Sequence, residues 1–107
     1  MRAVEVFTAA ALICLAWSAR ADEFGDVHAG RAFAKKVCSP CHAVQPKAPM
    51  SPKIDAPSFA AVANTPGMTR TALTVWFQTP HPTMPNFVLE DQDQDDVIAY
   101  ILSLKSK

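Results

Sequence analysis

Cys38, Cys41 and His42 stand close together in the segment KKVCSPCHAV, which spans residues 35–44. Two thiols and an imidazole at this spacing suit three kinds of chemistry: a zinc site, a dithiol redox pair, or covalent attachment of a haem. Residues three apart share one face of a helix, so both thiols can reach two vinyl groups on one porphyrin edge, and the adjacent imidazole can approach the iron. This segment is therefore the first candidate for a functional site.

The three chemistries make different demands on the rest of the chain. A zinc site needs four ligands, and the motif supplies three at most, which leaves His28 or His81 as a distant fourth. A thioredoxin-like pair opens a helix after a strand, and no strand-like alternation precedes Val37. Haem attachment is favoured, with zinc or a simple disulfide as the alternative.

The N-terminus has the pattern of a secretory signal peptide. A basic residue precedes the apolar run Val6–Trp17, which has 12 residues, fewer than the roughly 20 that span a bilayer, and Ala19 and Ala21 supply a cleavage site. We expect residues 1–21 to be removed, Cys14 with them, and the protein to reside in the periplasm without membrane insertion. An uncleaved anchor is the alternative.

The mature chain would be one domain, residues 22–107. Removing 21 residues from 107 leaves 86, and a domain of that size buries about 60 to 65% of its unfolded surface, so it commonly needs a staple such as a cofactor. Without Arg2, Arg20 and Glu5 the chain has eight basic and nine acidic residues, which gives no reason to expect a nucleic-acid partner.

Capping residues and apolar spacing predict an all-α domain. The segment from residue 43 to residue 57 holds four prolines and is predicted to be an irregular loop. The acidic stretch EDQDQDD is expected to be the solvated start of the last helix. The predicted helical segments are Asp26 to about Val37, a short turn at 58–63, Thr69 to about Thr79 with Leu73, Trp76 and Phe77 on its apolar face, and about Asp91 to Leu104 with Val97, Tyr100, Ile101 and Leu104 inward.

A haem bound by one imidazole predicts a second iron ligand further along the chain. Prolines at 80, 82 and 85 restrict the backbone around Met84, which suits a rigid loop that holds a sulfur atom. His81 in the same stretch would instead give a bis-histidine haem. The remaining candidates are His28, Met50 and Met68.

The ordered set CSPCHAV, APSFA, LTVWFQTP, TMPNF and DDVIAYILSL, between about residues 26 and 105, resembles a small bacterial class I cytochrome c. The resemblance implies three to five helices around one covalently bound haem c, attached through Cys38 and Cys41. It implies His42 and Met84 as axial ligands. It also implies that Trp76 packs beside the methionine.

The resemblance assigns two further supporting roles. The carbonyl of Pro57 in APSF would accept a hydrogen bond from the imidazole of His42 and so orient it. Gly30 and Tyr100 match positions at which the first and last helices cross closely. Many relatives carry an aromatic four residues after that glycine, whereas this chain has Ala34 there and Phe33 one residue earlier.

The resemblance implies a monomeric one-electron carrier rather than an enzyme, because two filled axial positions leave no place for a substrate. A labile methionine would instead allow a peroxidase or a gas-binding sensor. Expected partners are a redox donor and acceptor, such as a quinol-oxidising complex, an oxidase or a dehydrogenase. A basic rim around the haem motif would steer an acidic partner and comprises Lys35, Lys36, Lys47 and Lys53.

Overall fold

The helices follow one another in the order expected from the sequence. A computed structural model describes residues 24–48 and 50–106, and the expected leader lies outside these residues. No strand occurs among the described residues, so the all-α prediction is confirmed. None of the helices in these two ranges is long and apolar enough to cross a membrane. The helices are Val27–Phe33 (α1), Phe59–Ala63 (α2), Arg70–Gln78 (α3) and Asp91–Ser103 (α4).

The first helix widens just before the cysteine motif. Asp26 caps α1 through its carboxylate, which accepts hydrogen bonds from two backbone N–H groups of the first turn. The helix then continues as the π-helical segment Ala34–Cys38, where the N–H of Ser39 donates to the carbonyl of Ala34 at 2.9 Å. Such π turns are rare and frequently accompany functional sites. Here the wider turn ends at Cys38, the first thiol of the motif.

Helices α1 and α4 cross at Gly30. A Cβ atom on this glycine would lie 1.9 Å from the carbonyl oxygen of Asp96 and 2.9 Å from the Cβ of Tyr100. Only a hydrogen atom fits there, so the close crossing that the resemblance implied is confirmed. Ala34 is fully buried one turn later, while Phe33 packs from the side as a partly buried ring.

Polar contacts fix the ends of this crossing. The Asp96 carboxylate is buried and accepts from the N–H of Asp26 at 2.8 Å. Arg70 at the start of α3 pairs with Asp95 at 2.8 Å and donates to the Phe24 carbonyl at 2.7 Å. The expectation of a wholly solvated acidic stretch is therefore wrong for Asp96, because its carboxylate satisfies the N-terminus of α1. Among the described residues, no group of three or more His, Cys, Asp or Glu side chains is arranged to hold a metal ion.

The core lies between α4 and the other three helices. Leu73 of α3 is buried and Phe77 is partly buried, as the predicted apolar face requires. The buried hydrophobic cluster consists of Ala34, Val44, Phe59, Ala63, Leu73, Val97, Ile98, Tyr100 and Ile101.

Substituting Gly30→Ala should lower the free energy of unfolding by about 1 to 3 kcal/mol, since a methyl group would have to displace the backbone of α4. Guanidinium-induced unfolding of the haem-loaded protein, followed by circular dichroism, measures the change. Ala32→Ser, at an exposed position of the same helix, is the matched control and should change the value by less than about 0.5 kcal/mol. Equal effects of the two substitutions would show that the crossing is not tight.

Candidate haem-binding site

A cavity of about 440 Å³ lies between the cysteine motif and the loop that joins α3 to α4, residues 79–90. This volume is within the range of about 300 to 1,000 Å³ that is usual for cofactor pockets. Its wall brings together all six residues that the sequence analysis assigned to the site. They are Cys38, Cys41, His42, Pro57, Trp76 and Met84.

The cavity wall is mostly apolar, as a porphyrin ring requires. Exposed polar side chains, among them Lys53, Asp55 and Thr83, form part of its rim. Because the interior offers few polar groups, a flat aromatic macrocycle would replace water there at little desolvation cost. Apolar side chains on the wall include Val37, Phe59, Val62, Leu73, Phe77 and Ile101.

His42 is oriented by the loop that follows the motif. Its Nδ1 lies 2.6 Å from the carbonyl oxygen of Pro57. A carbonyl oxygen can only accept, so Nδ1 donates in this hydrogen bond. The Phe59 ring packs against the imidazole with a centroid distance of 5.5 Å and a tilt of 52°. The His42 ring is thus held in one orientation, in which Nε2 is the nitrogen left to bind a metal.

The loop that carries Pro57 is tied back to the cysteine motif by its backbone. The N–H of Phe59 donates to the carbonyl of Ala43 at 2.9 Å, and the N–H of Lys53 donates to the carbonyl of Cys41 at 3.1 Å. These two bonds join residues 16 and 12 positions apart in sequence. The irregular loop predicted from the prolines therefore has a definite path that delivers the Pro57 carbonyl to His42.

Tyr100 reaches the same segment from α4. Burial raises the pKa of Tyr100, an effect that the nearby charge of Arg31 partly opposes. The hydroxyl therefore stays protonated at neutral pH and donates to the carbonyl of Val44 at 2.5 Å. This bond fixes the chain just after His42 to the core.

The two thiols of the motif are half-buried and are not joined in a disulfide. Burial raises the pKa of Cys38 to about 11, so its thiol stays protonated at neutral pH. Zinc binding and dithiol exchange both use the thiolate. A protonated, half-buried thiol is a poor nucleophile for dithiol exchange and is compatible with a thiol consumed in a thioether bond.

Three of the five candidates for the second ligand line the cavity: Met84, His81 and Met68. The other two do not line the cavity: His28 is exposed on α1, and Met50 is 72% exposed. The cavity wall alone therefore narrows the choice without selecting one residue.

Trp76 lies beside the loop of residues 79–90 rather than in the packed core. Its side chain is 54% exposed, and its ring stacks on that of His81 with a centroid distance of 4.0 Å and an angle of 33°. Leu73, Trp76 and Phe77 all line the cavity, so the apolar face predicted for α3 is turned toward it.

Sequence reasoning missed two contributors to the site. Phe59 is buried between His42 and Tyr100, with a centroid distance of 6.3 Å to the tyrosine, and its only signal was its place after Pro57 in APSF. Lys53, expected only as part of a basic rim, also extends its Nζ to within 3.5 Å of the Thr83 carbonyl. No local pattern predicts that contact, because 30 residues separate the pair.

The side chains of the cavity fit a c-type haem. Two thiols, one oriented imidazole and the thioether sulfur of the 79–90 loop line the same space together with apolar side chains. These are the donors that covalent attachment and axial ligation require.

Comparison with known proteins gives the same picture. A family profile described as Cytochrome c matches residues 27–105, a range that contains the whole candidate site. Cytochrome c-552 of Bradyrhizobium diazoefficiens is 38% identical over 80 residues, covering 75% of this chain and 76% of that protein. None of the solved structures gives a significant match.

The double substitution Cys38→Ala with Cys41→Ala should leave the protein without covalent haem and unfolded. At about 24 cal/mol per Å³, leaving an apolar cavity of about 440 Å³ unfilled would lower the free energy of unfolding by at most about 11 kcal/mol, as much as the whole stability of a small domain. Intact mass spectrometry should find one haem on the parent chain and none on the variant. A well-dispersed NMR spectrum of the haem-free variant would contradict this expectation.

Proposed function

Because the chain belongs to the cytochrome c family, which carries covalently bound haem c, we propose that it is a periplasmic one-electron carrier with His42 and Met84 as axial ligands. Haem, when bound, supplies the exchange of a single electron between Fe(II) and Fe(III). The observation that carries the assignment of His42 is the hydrogen bond from its Nδ1 to the Pro57 carbonyl, which leaves Nε2 for the iron.

The side chains of the site would divide the work among them. Cys38 and Cys41 hold the group permanently, so that it is not lost in a dilute exported compartment. Pro57 keeps the proton on Nδ1 of His42, and the apolar walls exclude water, which stabilises the less charged reduced state. Met84 would supply a soft sulfur ligand, which would favour Fe(II) and raise the potential above that of a bis-histidine site.

Two protein ligands would leave no axial position for a substrate. This is the reason for proposing a carrier rather than an enzyme, and it depends on Met84 staying bound. A methionine that dissociates readily would give a protein that binds gases or reacts with peroxide. The ligand experiment below therefore also tests the class of function.

Substituting Met84→Ala should abolish the weak near-infrared absorption that sulfur ligation gives the oxidised protein. The same variant should have a lower reduction potential and should bind carbon monoxide when reduced, because one axial position is open. Absorption spectroscopy, potentiometric titration and carbon monoxide titration measure these three properties.

His81→Phe is the matched control for this substitution. A phenyl ring keeps an aromatic group beside Trp76 but has no nitrogen that can bind iron. It should leave all three properties close to those of the parent. The assignment of Met84 is wrong if the parent lacks the near-infrared band and if His81→Phe leaves an axial position of the iron open. Rapid reaction of the unaltered parent with carbon monoxide would favour a gas sensor or a peroxidase over a carrier.

We further propose that residues 1–21 are a leader cleaved after Ala21 and that the mature protein is a monomer of residues 22–107 in the periplasm. The short apolar run and the small residues before the cleavage point support this. The intact mass that reports on covalent haem also reports the N-terminal residue of the mature chain.

The proposed partners are redox proteins with an acidic docking surface. Lys35 and Lys36 are exposed on the π-helical segment beside the first thiol, and Lys53 is exposed at the cavity rim. Positive charge near the site of electron exchange raises the encounter rate with an anionic partner.

Oxidation of the reduced protein by ferricyanide, an anionic oxidant, should slow as ionic strength rises, because salt screens charges over about 8 Å at physiological strength. The combined substitution Lys35→Glu and Lys36→Glu should slow the reaction about 10-fold at low salt. Stopped-flow absorbance measures both rates, with a cationic cobalt complex as the control oxidant that the substitution should not slow. A ferricyanide rate that salt leaves unchanged would mean that the lysines do not act as a steering surface.

A further inference from the structure

We propose that His81 is a positioning residue, whose ring stacks on Trp76 and clamps the 79–90 loop so that Met84 stays against the cavity. This inference rests on the proposed function, since it concerns how the second axial ligand is held.

The loop has very little backbone support of its own. Among the described residues, no backbone–backbone hydrogen bond involves positions 80–89. The N–H of Thr79 donates to the carbonyl of Trp76 at the end of α3, and the next such bond, from Gln94 to the carbonyl of Glu90, belongs to the start of α4. Prolines at 80, 82 and 85 lack the N–H group that a turn would use. Side chains must therefore hold the stretch that carries Met84.

Two side-chain contacts hold the part of the loop that precedes Met84. The first is the ring stack between half-buried His81 and Trp76, at 4.0 Å between centroids. The second, from Lys53 Nζ to the Thr83 carbonyl, is 3.5 Å long and exposed, which is the outer limit of a hydrogen bond. The stack is the stronger restraint, because aromatic pairs contribute to stability beyond the area they bury.

The stack connects the loop to a rigid part of the fold. Trp76 lies on α3, the helix that Leu73 anchors in the core and that Arg70 ties to α4. His81 precedes Met84 by three residues, and both line the cavity. Fixing His81 therefore limits how far Met84 can move from the cavity. Loss of the stack should increase the fraction of molecules in which the sulfur is displaced.

The experiment measures how readily added imidazole displaces Met84 from the oxidised, haem-loaded protein. His81→Ala should raise the apparent association constant of imidazole about 3- to 10-fold, the range expected for loss of one aromatic pair. His81→Phe should stay within about twofold of the parent, because the ring is retained. His28→Ala, which removes an exposed histidine on α1, should match the parent.

A double-mutant cycle tests whether the effect passes through the stack. In a Trp76→Ala background, His81→Ala should add little, since the partner ring is already gone. An unchanged imidazole constant in His81→Ala would overturn the clamp, and so would a His81→Phe variant that behaves like His81→Ala. The near-infrared band of the parent distinguishes failure of the clamp from failure of the ligand assignment. A parent that lacks the band does not have Met84 on the iron, whereas a parent that has the band and an unchanged imidazole constant in His81→Ala contradicts the clamp alone.

Discussion

The apolar cavity at the centre of the fold is the constraint on which the rest of the structure depends. Helices α2, α3 and α4, the π-helical segment and the loops between them line about 440 Å³ that their own side chains do not fill. The longest of them, α4, has 13 residues, so packing between helices alone supplies a small core. The haem c that the family carries would fill this space, and in doing so it would complete the core and form the redox centre. Stability and function thus depend on the same group of side chains.

The two sides of the cavity differ in how firmly the surrounding chain is held, and we call them the tight side and the loose side. On the tight side, Gly30 lets α1 and α4 approach, Asp96 satisfies the start of α1, and the hydroxyl of Tyr100 holds the chain beyond His42. The cysteine motif and its imidazole are therefore fixed by contacts to packed helices. On the loose side, the loop with Met84 depends on side-chain contacts. Met84, the proposed second axial ligand, is the site residue whose position side-chain substitutions should change most easily.

Much of this was predictable from the sequence, because the relevant signals are local. The Cys38–His42 motif, the caps Asp26 and Thr69 and the apolar spacing of α4 each occupy a few consecutive residues, and they predicted the helices correctly to within a few positions. The resemblance to a family supplied the role of Pro57, whose hydrogen bond to His42 spans 15 residues.

The features that sequence reasoning missed are contacts between distant segments. The burial of Asp96 depends on where the N-terminus of α1 meets α4, and an acidic run gives no sign of it. The stack of His81 on Trp76 depends on the path of a proline-rich loop.

The most direct test of the whole account is a crystal structure of the exported, haem-loaded protein. We predict one porphyrin bonded to both cysteine sulfurs, with His42 Nε2 and Met84 Sδ on the iron and the hydrogen bond to Pro57 retained; an iron bound by His81 or Met68, or a cavity without haem, would contradict it.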